Sequence, residues 1–193
     1  MKRGVSIEDY LKPLQPNQTQ CYLTNTLQVA DIVEWTLAQI GKSTIWQTSF
    51  SISEEFLRRL YFISKSGNVE TIHLLLDFSR ILGFGELRKP CGFALALTKI
   101  QSHTEDATLV GFSLAGIEHT YLADNHSKVI LIQSAVMSVA IITSQNLTRG
   151  NRHESAIVTT DPAVFDVLHT EIQDLIKNHA VPLSELFQQR VQN

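Results

Sequence analysis

The chain has 193 residues, enough for one domain with a sizeable core. With 44% hydrophobic and 18% charged residues it reads as a soluble globular protein, which excludes a largely disordered chain. The formal net charge of -3 excludes a domain-wide basic footprint for nucleic acid but leaves room for a local cationic groove.

Residues up to Asn17 are polar and carry Pro13 and Pro16. They read as a loosely attached arm (residues 1–18), with the domain proper over residues 19–193. No apolar stretch follows Met1-Lys2-Arg3-Gly4, and no apolar run reaches the ~18 residues of a membrane span, so neither a signal peptide nor a membrane partner is expected. Cys21 and Cys91 form no metal-type pair and no disulfide framework; both read as buried free thiols of a reducing, cytoplasmic protein.

After the short apolar run Cys21–Leu23, Leu27, Ala30, Val33, Leu37 and Ile40 recur at spacings of three and four, the pattern of one helix face. Gly41 falls where a helix C-terminal glycine belongs. Gly41-Lys42-Ser43-Thr44 resembles the tail of a phosphate-binding loop, but position 36 is Thr36 rather than glycine, and the segment leaves a helix for a strand. It reads as a helix cap. A strand is expected over Ser43–Phe50, then a helix with Ser53 as N-cap and Phe56, Leu57, Leu60 and Ile63 on its apolar face, ending near Gly67. Val69–Phe78 has the continuous apolar centre of a strand covered on both faces.

Residues 79–90 read as a loop, and strands are expected over Phe93–Thr98, Ala107–Leu114, Ile117–Ala123, Val129–Ile132, Val136–Thr143 and Ser155–Thr159. Asp161-Pro162 opens a helix carrying Val164, Phe165, Leu168, Ile172, Leu175 and Ile176, and a short helix is expected over Leu183–Val191. This order predicts an α/β class with a mixed sheet between helix layers.

The chemistry concentrates near the end. In a strand, alternate side chains share a face, so His126 and Lys128 project together at the mouth of the apolar run continued by Ile130 and Ile132. Ser144 and Asn146 pair in the same way at the end of the next strand, and a turn at Gln133 and Ser134 makes the two strands neighbours. Glu154 lies just before the strand after that. An imidazole can attack phosphorus, an ammonium and an amide can hold the non-bridging oxygens, and a carboxylate can fix the imidazole tautomer. Such a set requires no metal or other cofactor, HExxH is absent, and the carboxylates are scattered. Arg149 and Arg152 flank the set and read as substrate-phosphate contacts. Trp35 and Trp46 read as core or interface residues.

His126-Ser127-Lys128, Ser144-Gln145-Asn146 and Glu154 together resemble the HxK…SxN…E signature of the phospholipase D superfamily, and the order of elements is similar to that family over roughly residues 20–180. The resemblance implies an α-β-α sandwich and a metal-independent phosphodiesterase, with a nuclease favoured and DNA ahead of RNA as the partner. It implies His126 as nucleophile, Lys128, Ser144 and Asn146 as the phosphate pocket, and Glu154 orienting a histidine. Family members need two such motifs per site. No other histidine of this chain has a lysine two positions on, so the resemblance implies a homodimer with a shared site. Gln133 stands where the family often has Asp, and Thr143 where it has Gly before the serine. Gln133 and the acidic total lend weight to one alternative, a silent nucleic-acid-binding or assembly protein of the same fold; a phospholipase is the other, less favoured because no export signal or amphipathic membrane-binding helix is evident.

Overall fold

The computed structural model describes residues 5–50, 52–77, 119–147 and 152–182. The strands expected over 93–98 and 107–114, the loop over 79–90 and the helix over 183–191 lie outside them, as does Cys91. In chain order the elements are β1 (Thr19–Thr24), α1 (Val29–Ile40), β2 (Ser43–Ser49), α2 (Glu54–Lys65), β3 (Val69–Asp77), β4 (His119–Ala123), β5 (Val129–Ser134), β6 (Ser138–Thr143), β7 (Glu154–Thr159), α3 (Pro162–His179) and β8 (Val181–Pro182). One mixed sheet runs β1-β7-β6-β5-β2-β3-β4-β8, with β2, β3 and β4 parallel and every other neighbouring pair antiparallel.

The two sheet faces have separate cores. Ile45, Ile72, Leu74, Ile130, Ile132, Val139, Ile141 and Val158 pack with Val33 and Leu37 of α1 and with Phe56 and Leu60 of α2. Trp46, Val129, Leu131 and Ala140 pack on the other face with Phe165 and Ile172 of α3. This is the expected sandwich. Helix ends follow their local chemistry: Ser53 Oγ accepts from Phe56 N–H, Asp161 Oδ1 accepts from Ala163 N–H beside Pro162, and Gly41 caps α1 at φ +76°, a backbone that strains other residues. The phosphate-loop look-alike is therefore a helix stop leading into β2. Arg59 of α2 bonds Asp31 and Glu34 of α1, both at 2.9 Å. Burial opposes ionisation of Asp31, but the Gln28 N–H and this guanidinium outweigh it and hold its carboxyl below its ordinary value.

Three expectations need correction. The N-terminal segment is not loose: Ile7, Leu11 and Leu14 are core residues, and Leu14 N–H donates to Gln39 of α1 at 2.8 Å. Cys21 is exposed rather than buried, because β1 is an edge strand and the outer face of its Cys21–Ile157 pair is open, with Ile157 itself 43% exposed. Val136 is not in a strand. Ser134 N–H bonds Met137 O at 3.0 Å, so the β5–β6 turn spans 134–137 and leaves Val136 78% exposed.

On the α3 face, His73 of β3 stacks between Trp46 of β2, 5.5 Å away centroid to centroid, and His119 of β4 at 4.8 Å; His169 of α3 meets Trp46 edge-on at 4.5 Å. Burial, then the proximity of His119 and His169, lowers the His73 pKa from 6.5 to about 4. The unfolded chain therefore binds this proton first as pH falls. The stability that neutral His73 contributes is complete above pH 6.5 and is lost as pH falls from there toward 4. Thermal midpoints across that interval should drop less steeply in His73→Gln than in the wild type; equal slopes would show that the proton binds elsewhere.

Candidate active site

Strand direction gathers the candidate residues at one end of the sheet. Because β5 runs antiparallel to β2, the start of β5 lies beside the end of β2; the end of β6 and the start of β7 follow in the same row. Helices α1 and α2 begin just after β1 and β2, so their N-termini stand at this same end. Ligands of open α/β sheets bind at such carboxyl ends of parallel strands.

His126 and Lys128 occupy the segment leading into β5. That segment is fixed from its other side. Asn125 Oδ1 accepts from Ser127 N–H at 3.1 Å and from Ser127 Oγ at 2.6 Å, Asn125 N–H donates to buried Asp77, and Ser127 Oγ lies 2.8 Å from the Thr48 hydroxyl. Ser127 thus points away from the site and the flanking pair toward it. His126 is exposed and Lys128 half-buried. Lys128 Nζ lies 2.8 Å from His126 O and 3.4 Å from His126 Nδ1. With the ammonium as donor, Nδ1 accepts and the proton of a neutral ring sits on Nε2. Burial holds the Lys128 pKa below its ordinary value, against the opposing pull of the Glu154 carboxylate.

Ser144 and Asn146 follow β6. Thr143 N–H bonds Lys128 O at 3.0 Å, tying the two segments together. Ser144 Oγ donates to Glu154 Oε2 and accepts from Ser155 N–H at 3.1 Å. Glu154 thus holds Ser144 of its own chain, whereas the sequence expectation paired it with a histidine. Between the two site residues, Gln145 turns inward. Its Oε1 accepts from Val29 N–H at 2.9 Å and its Nε2 donates to Gln28 at 2.8 Å, which docks the site loop on the first turn of α1. Leu147 N–H bonds Ser49 Oγ at 3.1 Å, fastening the loop to β2. Arg152 is exposed and Arg149 lies outside the described residues. Gln133 is exposed and pairs with Thr44 and Ser138, five residues and roughly 16 Å along the strand from Lys128. The missing aspartate charge is therefore remote from the imidazole.

Neither a protein-family model nor a curated protein matches the chain in sequence. Solved structures match in three dimensions. Nuc of Salmonella typhimurium, a phospholipase D family member, superposes over 84% of this chain and 97% of its own, with a TM-score of 0.54 at 14% identity. The chain has the phospholipase D superfamily fold. Phosphatidylserine synthase of Haemophilus influenzae Rd KW20 gives 0.56 at 15% identity, over 87% of this chain and 41% of its own. The archaeal chromatin protein TrmBL2, described with a novel mode of DNA binding, gives 0.50 at 7% identity, over 84% and 53%. A phospholipase D fold thus serves more than one task, and the task here must be argued from the site.

Sequence reasoning missed several residues of this candidate site. Phe50, the residue after β2, packs its ring against His126, a position no spacing rule marks. Tyr22 of β1 shares a strand face with Glu154, and its phenol is buried without a partner; burial first, then Glu154 and Asp31, raises its pKa above the ordinary value. The side-chain oxygen of Asn146 is also buried and unpartnered. Gln47 of β2 lies on the same face as Ile45 and pairs with Ile130, one strand step below the site, with both amide atoms buried and unpartnered. An unpaired buried polar group costs about 1–3 kcal/mol. Gln47→Met keeps the shape and removes the polarity, so it should stabilise the fold by about 1 kcal/mol. A urea midpoint that does not rise would reveal a partner for the amide.

Proposed function

We propose that the protein is a phosphodiesterase of the phospholipase D type, a nuclease that hydrolyses DNA through a covalent phosphohistidine in a site shared by two subunits. The observation that carries this reading is the assembly of imidazole, ammonium, hydroxyl and carboxylate at one sheet end, with Lys128 on His126 and Glu154 on Ser144.

In the first step His126 Nε2 attacks phosphorus, an N–P bond forms and the P–O bond to the leaving group breaks. The partner's His126, protonated, gives its proton to that oxygen. Water then attacks the phosphohistidine, losing its proton to the same imidazole as the N–P bond breaks. Lys128 holds a non-bridging oxygen where charge develops, and Asn146 adds an amide donor. Since the ammonium stands at Nδ1 in the free site, attack from Nε2 requires Lys128 to move onto the phosphate and the ring proton to pass to Nδ1. Glu154 is occupied with Ser144 in its own subunit, so the histidine it would orient belongs to the partner. Arg152 extends the site toward flanking phosphates, a role the sequence also gives Arg149.

The alternative of a silent DNA-binding protein draws on TrmBL2 and on neutral Gln133. The remoteness of Gln133 from the imidazole weighs for catalysis. Cleavage of labelled DNA in EDTA by wild-type and His126→Ala protein, with the mass of each in solution, tests the proposal. Cleavage by a monomer would sink the shared site; binding without cleavage would favour the silent reading.

A further inference from the structure

We infer that Phe50 is a positioning residue for the His126 imidazole. The inference rests on the reading of His126 as nucleophile and extends it to a residue outside the HxK…SxN…E pattern. His126 is exposed and sits in irregular backbone between β4 and β5, where side chains ordinarily sample several rotamers. Among the described residues, two groups steady its ring. One is the Lys128 ammonium, 3.4 Å from Nδ1. The other is the ring of Phe50, whose centroid lies 4.4 Å from that of the imidazole at a tilt of 52°.

The first support is conditional, because Lys128 leaves the ring when it takes a phosphate oxygen. The second is not. Phe50 is half-buried at the end of β2, and Ser49 beside it accepts Leu147 N–H from the opposite side of the site. Phe50 directly follows the central strand of the sheet, and its half-buried ring anchors an exposed side chain. Its ring also lies under the ammonium, with Lys128 Nζ 5.8 Å from the centroid. Phe50 thus keeps the imidazole in place while the lysine transfers from ring to phosphate, and offers the ammonium a π-face from which to move.

A nucleophile left to wander by about 1 Å loses on the order of a hundredfold in rate. Phe50→Ala should lower single-turnover cleavage of a DNA oligonucleotide by about tenfold to a hundredfold. Its affinity for that oligonucleotide should change by less than about twofold, since no phosphate ligand is removed. Phe50→Tyr keeps the ring and should stay within about twofold of wild type, while Phe50→Leu, which keeps bulk without the flat face, should fall between. Equal rates for wild type and Phe50→Ala, with His126→Ala inactive, would overturn the inference and leave the nuclease reading standing. A wild type as inactive as His126→Ala would overturn the nuclease reading instead. The positioning is then decided by NMR of the His126 ring: its resonances should shift in Phe50→Ala and Phe50→Leu but stay near wild type in Phe50→Tyr. Unchanged ring resonances in Phe50→Ala would overturn it.

Discussion

His126→Ala should lower phosphodiester hydrolysis by about 10⁴-fold, the usual scale for removing a covalent nucleophile whose helpers depend on it. The folded state should scarcely notice. His126 is exposed, lies outside both hydrophobic clusters and makes one ring contact with Phe50, so the unfolding free energy should move by no more than about 0.5 kcal/mol. The same variant separates chemistry from binding, because Lys128, Asn146 and Arg152 remain. Substrate quenched in alkali should leave a phosphorylated wild-type chain and an unmodified variant. Residual activity above about one part in a hundred would assign the nucleophile elsewhere.

Phe165→Ala should do the reverse, costing about 3–5 kcal/mol of stability, a large share of the 5–15 kcal/mol typical of a domain. Phe165 is 1% exposed and meets Trp46 edge-on at 6.5 Å while stacking on His169 at 5.7 Å. The cluster it anchors attaches α3 to the sheet through Val129, Leu131 and Ala140. Val129 directly follows Lys128, so loosening this face also loosens the site from behind. Activity should return on cooling well below the unfolding transition, which no substitution of His126 permits. Chemical unfolding read by tryptophan fluorescence checks the loss, since Trp46 reports on the cavity; a change below 1 kcal/mol would mean that the face repacks.

Much of this architecture was legible because each helix and strand agreed with its own local signals. Ser53, Gly41 and Asp161-Pro162 marked helix ends, and the apolar centre of β3 marked an interior strand. His126 and Lys128 do come together, Nζ 3.4 Å from Nδ1, although irregular backbone leading into β5, not the expected strand, carries them. What escaped was set by neighbours distant in sequence. Leu11 and Leu14 lie in a stretch that looks like a polar arm and are buried only because α1 and β1 come round to meet them. Cys21 looks like a core thiol and is exposed because its strand ends the sheet. The roles of Gln145 and Phe50 depend on partners 116 and 76 positions away, beyond any local periodicity.

The turn at residues 134–137 stands at the far end of β5 and β6 from the site, roughly 20 Å from Lys128. No candidate site residue lies in it, and Val136 at its tip is largely open to solvent. The polypeptide can therefore be interrupted there, by an inserted reporter or by new chain ends, while β5 and β6 stay paired at the end next to the candidate site.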